Sequence, residues 1–327
     1  MDISTRYMGF ELRNPIIVAS SGLTATAEGV ADCEKHGAAA VVLKSLFEEQ
    51  ILFNYEARLN EVKLETSYPE AEEYINLHTR SQAVEEYVGL IRSCKKTVNI
   101  PVVASINCIS ASEWTGFAKE IQLAGADALE LNLSILPSDT TKTCGQIEET
   151  YIDILNEVVK NLTIPVSIKI SSYFSGLAKT ALRFSFTGIR GMVLFNRFYT
   201  PDIDIEEFKI IPGSIYSSPS ELTVPLRWIA ILSERIYCDL AASTGVHDGT
   251  GLVKVLLAGA KAAKVCSVLY DKGLGQIAPM LRYLEDYLKR HRFGSVQEII
   301  GKMSMRQTEN PAAYERVQFM KHFSEIE

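Results

Sequence analysis

The sequence lacks several features that would place it in common protein classes. No apolar run reaches the roughly 18 residues that a membrane-spanning helix needs, so we expect no membrane partner. Basic residues form no cluster and the formal net charge is -7, which argues against a nucleic-acid partner held through its phosphates. The first residues lack the basic and then apolar pattern of a secretion signal, so we expect a cytoplasmic protein.

The few cysteines and histidines show none of the spacings typical of metal sites. The six cysteines are scattered without a C-x-x-C pair, and the five histidines have no ligand pattern. We therefore expect no metal and no iron–sulfur cluster on this chain, although a partner subunit carrying a cluster stays open. We also expect no disulfide bonds in a reducing compartment.

What the sequence does have is a succession of short apolar segments separated by amphipathic ones. The apolar segments are mostly continuous, which is typical of parallel strands that helices cover. The predicted strands are residues 15–19, 39–43, 101–106, 128–131, 166–170, 191–195, 236–241 and 262–266. The predicted helices are residues 81–94, 112–123, 146–159, 223–232, 251–257 and 277–288.

Eight strand–helix units predict an α/β fold of the closed (β/α)₈ type, a TIM barrel. An open doubly wound sheet is the alternative, but its G-x-G-x-x-G fingerprint after the first strand is absent. Two excursions, residues 47–79 and 199–221, follow the second and sixth strands and are expected over the mouth of the barrel. No linker divides the chain, which we interpret as a single domain over residues 1–327 with a C-terminal extension at 305–327.

Polar residues follow the apolar segments where the carboxyl ends of barrel strands would meet. Lys44, Asn107, Asn132, Lys169 and Asn196 stand at five of these ends. Because an asparagine side chain offers both a donor and an acceptor, such a ring suits a planar heterocycle with alternating carbonyl and N–H groups.

Small residues follow the seventh and eighth strands, in 243–245 and 266–267. Barrels often bind phosphate at these two loops, through backbone N–H groups and a short helix. Ordinary loop structure is the alternative for each loop taken alone.

These residues resemble the class 1 dihydroorotate dehydrogenases, soluble FMN enzymes of pyrimidine synthesis with a (β/α)₈ barrel. The resemblance runs from Asn14 to about Met303. Its landmarks are Leu43-Lys44-Ser45, Leu129-Glu130-Leu131-Asn132-Leu133-Ser134, Val166-Ser167-Ile168-Lys169 and the Asn196 that follows strand six.

The resemblance implies FMN as cofactor, dihydroorotate or a similar compound as substrate, and a homodimer. It places Ser21 and Gly22 beside the flavin ring and Lys44 and Lys169 at its side. The remaining cofactor-binding residues that it implies are Asn107, Asn132, Thr244, Gly245, Cys266 and Ser267. The substrate-binding residues that we expect are Asn76, Asn132, Asn196 and Arg197.

The chain departs from the family pattern where a catalytic cysteine is expected, because that position is Ile135. Ser134 and Ser138 are then the candidate catalytic hydroxyls, together with Lys44 beside the flavin. The expected reaction is oxidation of dihydroorotate to orotate by hydride transfer to the flavin. Three alternatives stay open: an FMN oxidoreductase of another substrate, a Schiff-base barrel using Lys44 or Lys169, and a non-catalytic barrel that holds flavin.

Overall fold

Eight parallel strands form a closed barrel in the computed structural model. It describes residues 1–47, 69–107, 111–198 and 200–315, with the backbone alone in 69–81 and 111–115. The described residues form thirteen strands, of which eight make the barrel. They are β1 (Thr5–Tyr7), β2 (Phe10–Leu12), β3 (Ile16–Val18), β4 (Ala40–Val42), β5 (Leu46–Phe47), β6 (Val102–Asn107), β7 (Ala128–Asn132), β8 (Val166–Ile170), β9 (Gly191–Leu194), β10 (Pro201–Asp204), β11 (Lys209–Pro212), β12 (Asp239–Ser243) and β13 (Ala262–Val265).

The barrel runs β3-β4-β6-β7-β8-β9-β12-β13, and β13 pairs back onto β3. Every neighbouring pair is parallel, including the β4–β6 pair that completes the ring. The predicted (β/α)₈ barrel is thus confirmed, and the open doubly wound sheet is excluded.

Helices connect the strands and cover the outside of the barrel. They are α1 (Ala27–Lys35), α2 (Pro69–Thr97), α3 (Ala111–Leu123), α4 (Cys144–Asn161), α5 (Leu177–Ser185), α6 (Thr223–Leu232), α7 (Gly249–Ala258), α8 (Ser267–Lys272), α9 (Ile277–Arg290) and α10 (Ala312–Glu315). None of the described helices combines the length and apolar character needed to cross a bilayer.

Strand side chains alternate between two apolar layers. Ile16 and Val18 belong to the cluster that packs against the helices, whereas Ile17 belongs to a smaller cluster inside the barrel. The same alternation turns Leu129 and Leu131 outward, which leaves the side chains of Glu130 and Asn132 inside. The β1–β2 hairpin closes the amino-terminal end of the barrel with Tyr7 and Met8, so the polar mouth is at the opposite end.

Two predicted boundaries are wrong. Helix α2 begins at Pro69, twelve residues before its predicted start, so 69–79 is helix and not part of an irregular excursion. The seventh barrel strand is Asp239–Ser243 instead of 236–241, because the apolar segment that suggested an earlier start lies at the surface, with Tyr237 73% exposed. Helices α1, α5, α8 and α10 are additional to those predicted.

Candidate active site

Four of the predicted site residues line one cavity of about 260 Å³ at the mouth of the barrel. They are Lys44, Asn132, Lys169 and Asn196, and they come from the ends of four different strands. Ser21 and Gly22, predicted beside the flavin, line the same cavity. The structure therefore brings together the ring that the sequence indicated.

Three polar groups of this cavity are available to a ligand. Asn132 and Lys169 are register partners on β7 and β8, so their side chains enter the mouth side by side. The Asn132 Oδ1 atom is buried and has no hydrogen-bond partner among the residues that the structure describes. In the described part of the chain, the ammonium groups of Lys44 and Lys169 form no hydrogen bond or ion pair. The cavity thus offers one unused acceptor and two unpaired ammonium groups.

A second cavity of about 220 Å³ adjoins the first, since Ser20, Lys169 and Asn196 line both. Its wall includes the residues predicted to hold a phosphate, namely Thr244, Gly245, Cys266 and Ser267. The phosphate loops and the ring of lysines and asparagines therefore face one continuous space.

The turn after β12 requires glycine. Gly245 has φ of 80° and Thr244 has φ of 76°, both in the left-handed region. A Cβ atom on Gly245 would come within 2.3 Å of the Leu222 backbone nitrogen. The backbone of this loop therefore lies so close to the backbone at Leu222 that no residue with a side chain fits at position 245.

Ser217, which sequence reasoning missed, connects the loops after β12 and β13 that are predicted to hold a phosphate. The Gly245 N–H donates to Ser217 Oγ at 3.4 Å, and the Ser217 N–H donates to Ser267 Oγ at 3.0 Å. His247 Nε2 lies 3.0 Å from the same Ser217 hydroxyl. Burial lowers the pKa of His247, so this imidazole is neutral at pH 7.

Neither of the two candidate hydroxyls after β7 lines these cavities, but Ser134 contacts a residue that does. Asn196 Nδ2 donates to Ser134 Oγ at 2.7 Å. Ser138 is exposed and lines neither cavity. The Ile135 N–H donates to the hydroxyl of Tyr151 at 2.8 Å, and burial raises the pKa of that tyrosine. The loop is therefore held by a neutral phenol at the point where the family pattern places its base.

The remaining predicted residues lie at the edge of the site or outside it. Arg197 lines the second cavity, but its Nε donates to Glu221 Oε2 at 2.9 Å and its Nη1 donates to the Ile215 carbonyl at 3.0 Å. Asn107 ends β6 beside Phe47 and lines neither cavity. Asn76 lies in α2, in the part where only the backbone is described.

A buried ion pair between Lys264 and Glu130 crosses the barrel beneath the mouth. The side chain of each is 1% exposed, and Lys264 Nζ contacts Glu130 Oε2 directly. Burial lowers the pKa of Lys264, while Glu130 opposes this shift. Sequence reasoning missed both residues, although a charged residue in the middle of an apolar strand is an available signal.

Three serine hydroxyls form a chain along the wall of the mouth. Ser45 Oγ lies 3.0 Å from Ser20 Oγ and 2.6 Å from Ser105 Oγ. Tyr87 of α2 fixes the inner end, because its hydroxyl accepts from the Ser105 N–H at 2.7 Å and donates to the Ser105 carbonyl at 3.0 Å.

The residues present fit a flavin cofactor. The orphaned Asn132 acceptor needs an N–H donor, which a flavin ring carries, and the free ammonium groups suit its carbonyl edge and phosphate. A Cβ atom on Gly22 would meet the Tyr270 hydroxyl at 2.7 Å, and one on Gly245 would meet the Leu222 backbone, so only glycine fits both loops as they stand. Among the described residues, no group of His, Cys, Asp and Glu is arranged to hold a metal ion.

A closed (β/α)₈ barrel with a cationic mouth and paired small-residue loops is the architecture of a cofactor-binding barrel enzyme. Comparison with known proteins gives the family: a model of the dihydroorotate dehydrogenase family matches residues 2–288, and the chain belongs to that family. The predicted family and the oxidoreductase class are thereby confirmed, and the family implies a flavin cofactor.

Similar proteins from archaea extend over most of the chain. The dihydroorotate dehydrogenase B (NAD(+)) catalytic subunit of Thermoplasma volcanium is 25% identical over 312 residues, covering 92% of this chain and 98% of that protein. The protein of the same name from Pyrococcus furiosus is 27% identical, with the same two coverages. A putative dihydroorotate dehydrogenase A (fumarate) from Aeropyrum pernix is 28% identical over 72% of this chain and 78% of its own length.

Proposed function

We propose that this protein is a single-domain, FMN-dependent dehydrogenase that oxidises dihydroorotate to orotate. The observation that carries the proposal is the ring of Lys44, Asn132, Lys169 and Asn196 on one cavity, continuous with the loops at Gly245 and Ser267. The names of its relatives support the same substrate.

The chain's own residues divide the binding of FMN between the two cavities. Thr244, Gly245, Cys266 and Ser267 would hold the phosphate, and Ser21, Gly22, Lys44, Asn132 and Lys169 would surround the ring. Bound FMN supplies hydride acceptance at this site. The charges of Lys44 and Lys169 favour a ring that carries negative charge, which is how these residues contribute to the redox step.

Ser134 is the hydroxyl that the geometry favours as proton acceptor. Asn196 donates to the Ser134 oxygen, which keeps a second lone pair for the proton that leaves the substrate. Because Ser134 is only half-buried, its own hydrogen would pass at the same time to solvent water, which carries the proton away. Asn132 and Asn196 would bind the amide and carbonyl groups of the substrate ring. The substrate roles of Asn76 and Arg197, the cofactor role of Asn107 and the catalytic role of Ser138 stay predictions.

An absorption spectrum of the purified protein tests the cofactor, and an anaerobic titration with dihydroorotate tests the reaction. We expect flavin absorption that bleaches on titration with dihydroorotate. A Lys44→Met/Lys169→Met variant should bind added FMN at least about tenfold more weakly, since it loses two interactions with charged groups. Colourless protein that binds no added FMN would overturn the proposal, whereas bound flavin that dihydroorotate does not reduce would overturn the substrate alone.

We also propose that the protein is a homodimer that uses the β10–β11 hairpin. This hairpin exposes a row of apolar side chains, with Ile205 74%, Phe208 91% and Ile210 75% exposed. Ile205 and Phe208 lie in the turn and Ile210 on β11, and an exposed apolar patch of this kind marks a surface that binds another protein chain. Light scattering should give twice the 36.3 kDa mass of one chain, and the double variant Phe208→Ser/Ile210→Ser should have half that mass. Phe186 is exposed on another part of the surface, so the control Phe186→Ser should leave the mass unchanged. A monomeric wild-type protein would refute the dimer.

The cytoplasm is the compartment that we propose. The five cysteines in the described residues are all free thiols, as expected where thiols are kept reduced. Fractionation of cells that express the tagged chain tests this, and recovery in an extracytoplasmic fraction would refute it.

A further inference from the structure

The Lys264–Glu130 ion pair joins strands on opposite sides of the barrel. Lys264 lies on β13 and Glu130 on β7, and three barrel strands separate these two in either direction around the ring. Both side chains enter the barrel interior, because their neighbours along each strand belong to the outer apolar layer. The pair therefore spans the interior and forms the floor beneath the mouth.

Lys169 stands directly beside this pair. It lines the first cavity together with Glu130 and the second cavity together with Lys264. Its strand, β8, is the hydrogen-bonded neighbour of β7, and Lys169 lies two positions beyond Ser167, the register partner of Glu130. Glu130 is the one carboxylate among the described residues that line these two cavities. A buried carboxylate and an unpaired ammonium group thus share one cavity without forming an ion pair.

We propose that Lys264 is a positioning residue that holds Glu130 from across the barrel and so leaves the Lys169 ammonium group free for the cofactor. A buried carboxylate must be paired, and Lys169 on the adjacent strand is its alternative partner. Without Lys264, Glu130 would draw Lys169 down into the barrel and cancel its charge. This inference rests on the proposed binding of FMN.

Substitution of Lys264 should weaken FMN binding, whereas substitution of Glu130 should not. Removing Lys264 frees Glu130 to capture Lys169, so Lys264→Met should weaken FMN binding about tenfold or more, as Lys169→Met should. Removing Glu130 leaves no anion to capture Lys169, so Glu130→Gln should bind FMN as wild type does or more tightly. In the double variant Lys264→Met/Glu130→Gln, affinity should return to within about threefold of wild type.

The experiment measures the dissociation constant of FMN from the full-length apoprotein by quenching of FMN fluorescence. Lys261→Met is the matched control, because Lys261 lines a cavity at the other end of the barrel and should leave the affinity unchanged. Far-ultraviolet circular dichroism establishes that each variant is folded.

Rescue in the double variant is the result that separates positioning from a structural role. A double variant that stays as weak as Lys264→Met, or a Lys264→Met variant with wild-type affinity, would overturn the inference. If Lys264→Met does not fold, Glu130→Gln decides alone: retained affinity supports the inference and a tenfold loss refutes it. Wild-type protein that binds no FMN would refute the proposed function itself.

Discussion

Replacing Asn132 with leucine should stabilise the apoprotein while weakening its ligand binding. The Asn132 Oδ1 atom is buried, no described residue forms a hydrogen bond with it, and the residue is 8% exposed. An unsatisfied buried acceptor costs about 1–3 kcal/mol, and leucine has a similar size without that acceptor. We therefore expect the free energy of unfolding of the apoprotein to rise by about 1–2 kcal/mol.

The same change should remove part of the stabilisation that FMN provides. At about one hundred times its dissociation constant, FMN should stabilise the wild-type protein by about 2.7 kcal/mol. If the lost acceptor weakens binding about tenfold, the variant gains only about 1.4 kcal/mol at the same FMN concentration. The stability advantage of the variant should therefore shrink by about 1.3 kcal/mol when FMN is added.

Urea denaturation with and without FMN measures both quantities. Asn14→Leu is the matched control, because Asn14 is also buried but both of its side-chain atoms are paired, with Ile16 N–H at 2.9 Å and the Gly37 carbonyl at 2.8 Å. This control should be destabilised without a change in the FMN effect. An Asn132→Leu apoprotein less stable than wild type, or an unchanged FMN effect, would refute the reasoning.

Three further predictions concern the same mouth. Gly245→Ala should lower the free energy of unfolding, measured in urea, by at least about 1–3 kcal/mol. Alanine is strained at the φ of position 245, and its Cβ atom meets Leu222. The control Gly145→Ala should cost much less, because the space around the added atom is open. Ser134→Ala should slow flavin reduction by dihydroorotate about a hundredfold, whereas Ser138→Ala should stay within about twofold, and equal effects would remove Ser134 as the proton acceptor. Burial lowers the pKa of His247 in the folded protein, so His247 is protonated at a higher pH in the unfolded chain than in the folded one. The free energy of unfolding should therefore fall as the pH drops below about 6.5. His247→Gln should reduce that loss in urea denaturation between about pH 5 and 7.

Sequence patterns were sufficient for the fold because the barrel strands are buried on both faces. Continuous apolar segments of this kind, eight in succession, predict a closed parallel barrel. The wrong boundaries occur where apolar residues are not buried, or where a helix has no clear apolar face. Tyr237 is apolar but exposed, which moved the seventh strand, and residues 69–80 lack a clear apolar stripe although they are helical.

The site was predictable where a residue stands at the end of a strand. Lys44, Asn132, Lys169 and Asn196 meet because the carboxyl ends of parallel strands meet, whatever the loops between them do. Ser217 and His247 contact the site from connecting segments, whose paths no periodicity encodes. The partnership of Lys264 with Glu130, 134 residues away in the chain, follows only from the strand order of the closed ring.

The hydrogen bonds of the serine chain from Ser105 through Ser45 to Ser20 can run in either direction. One wall of the mouth can therefore act as a hydrogen-bond donor or as an acceptor. Each hydroxyl has a single hydrogen, so the hydrogens can all point towards the cavity or all away from it while every oxygen stays in place. Ser20, which lines both cavities, can then offer a hydrogen in one state and a lone pair in the other. A compound that enters with two hydrogens and leaves without them would meet a matching wall in both forms.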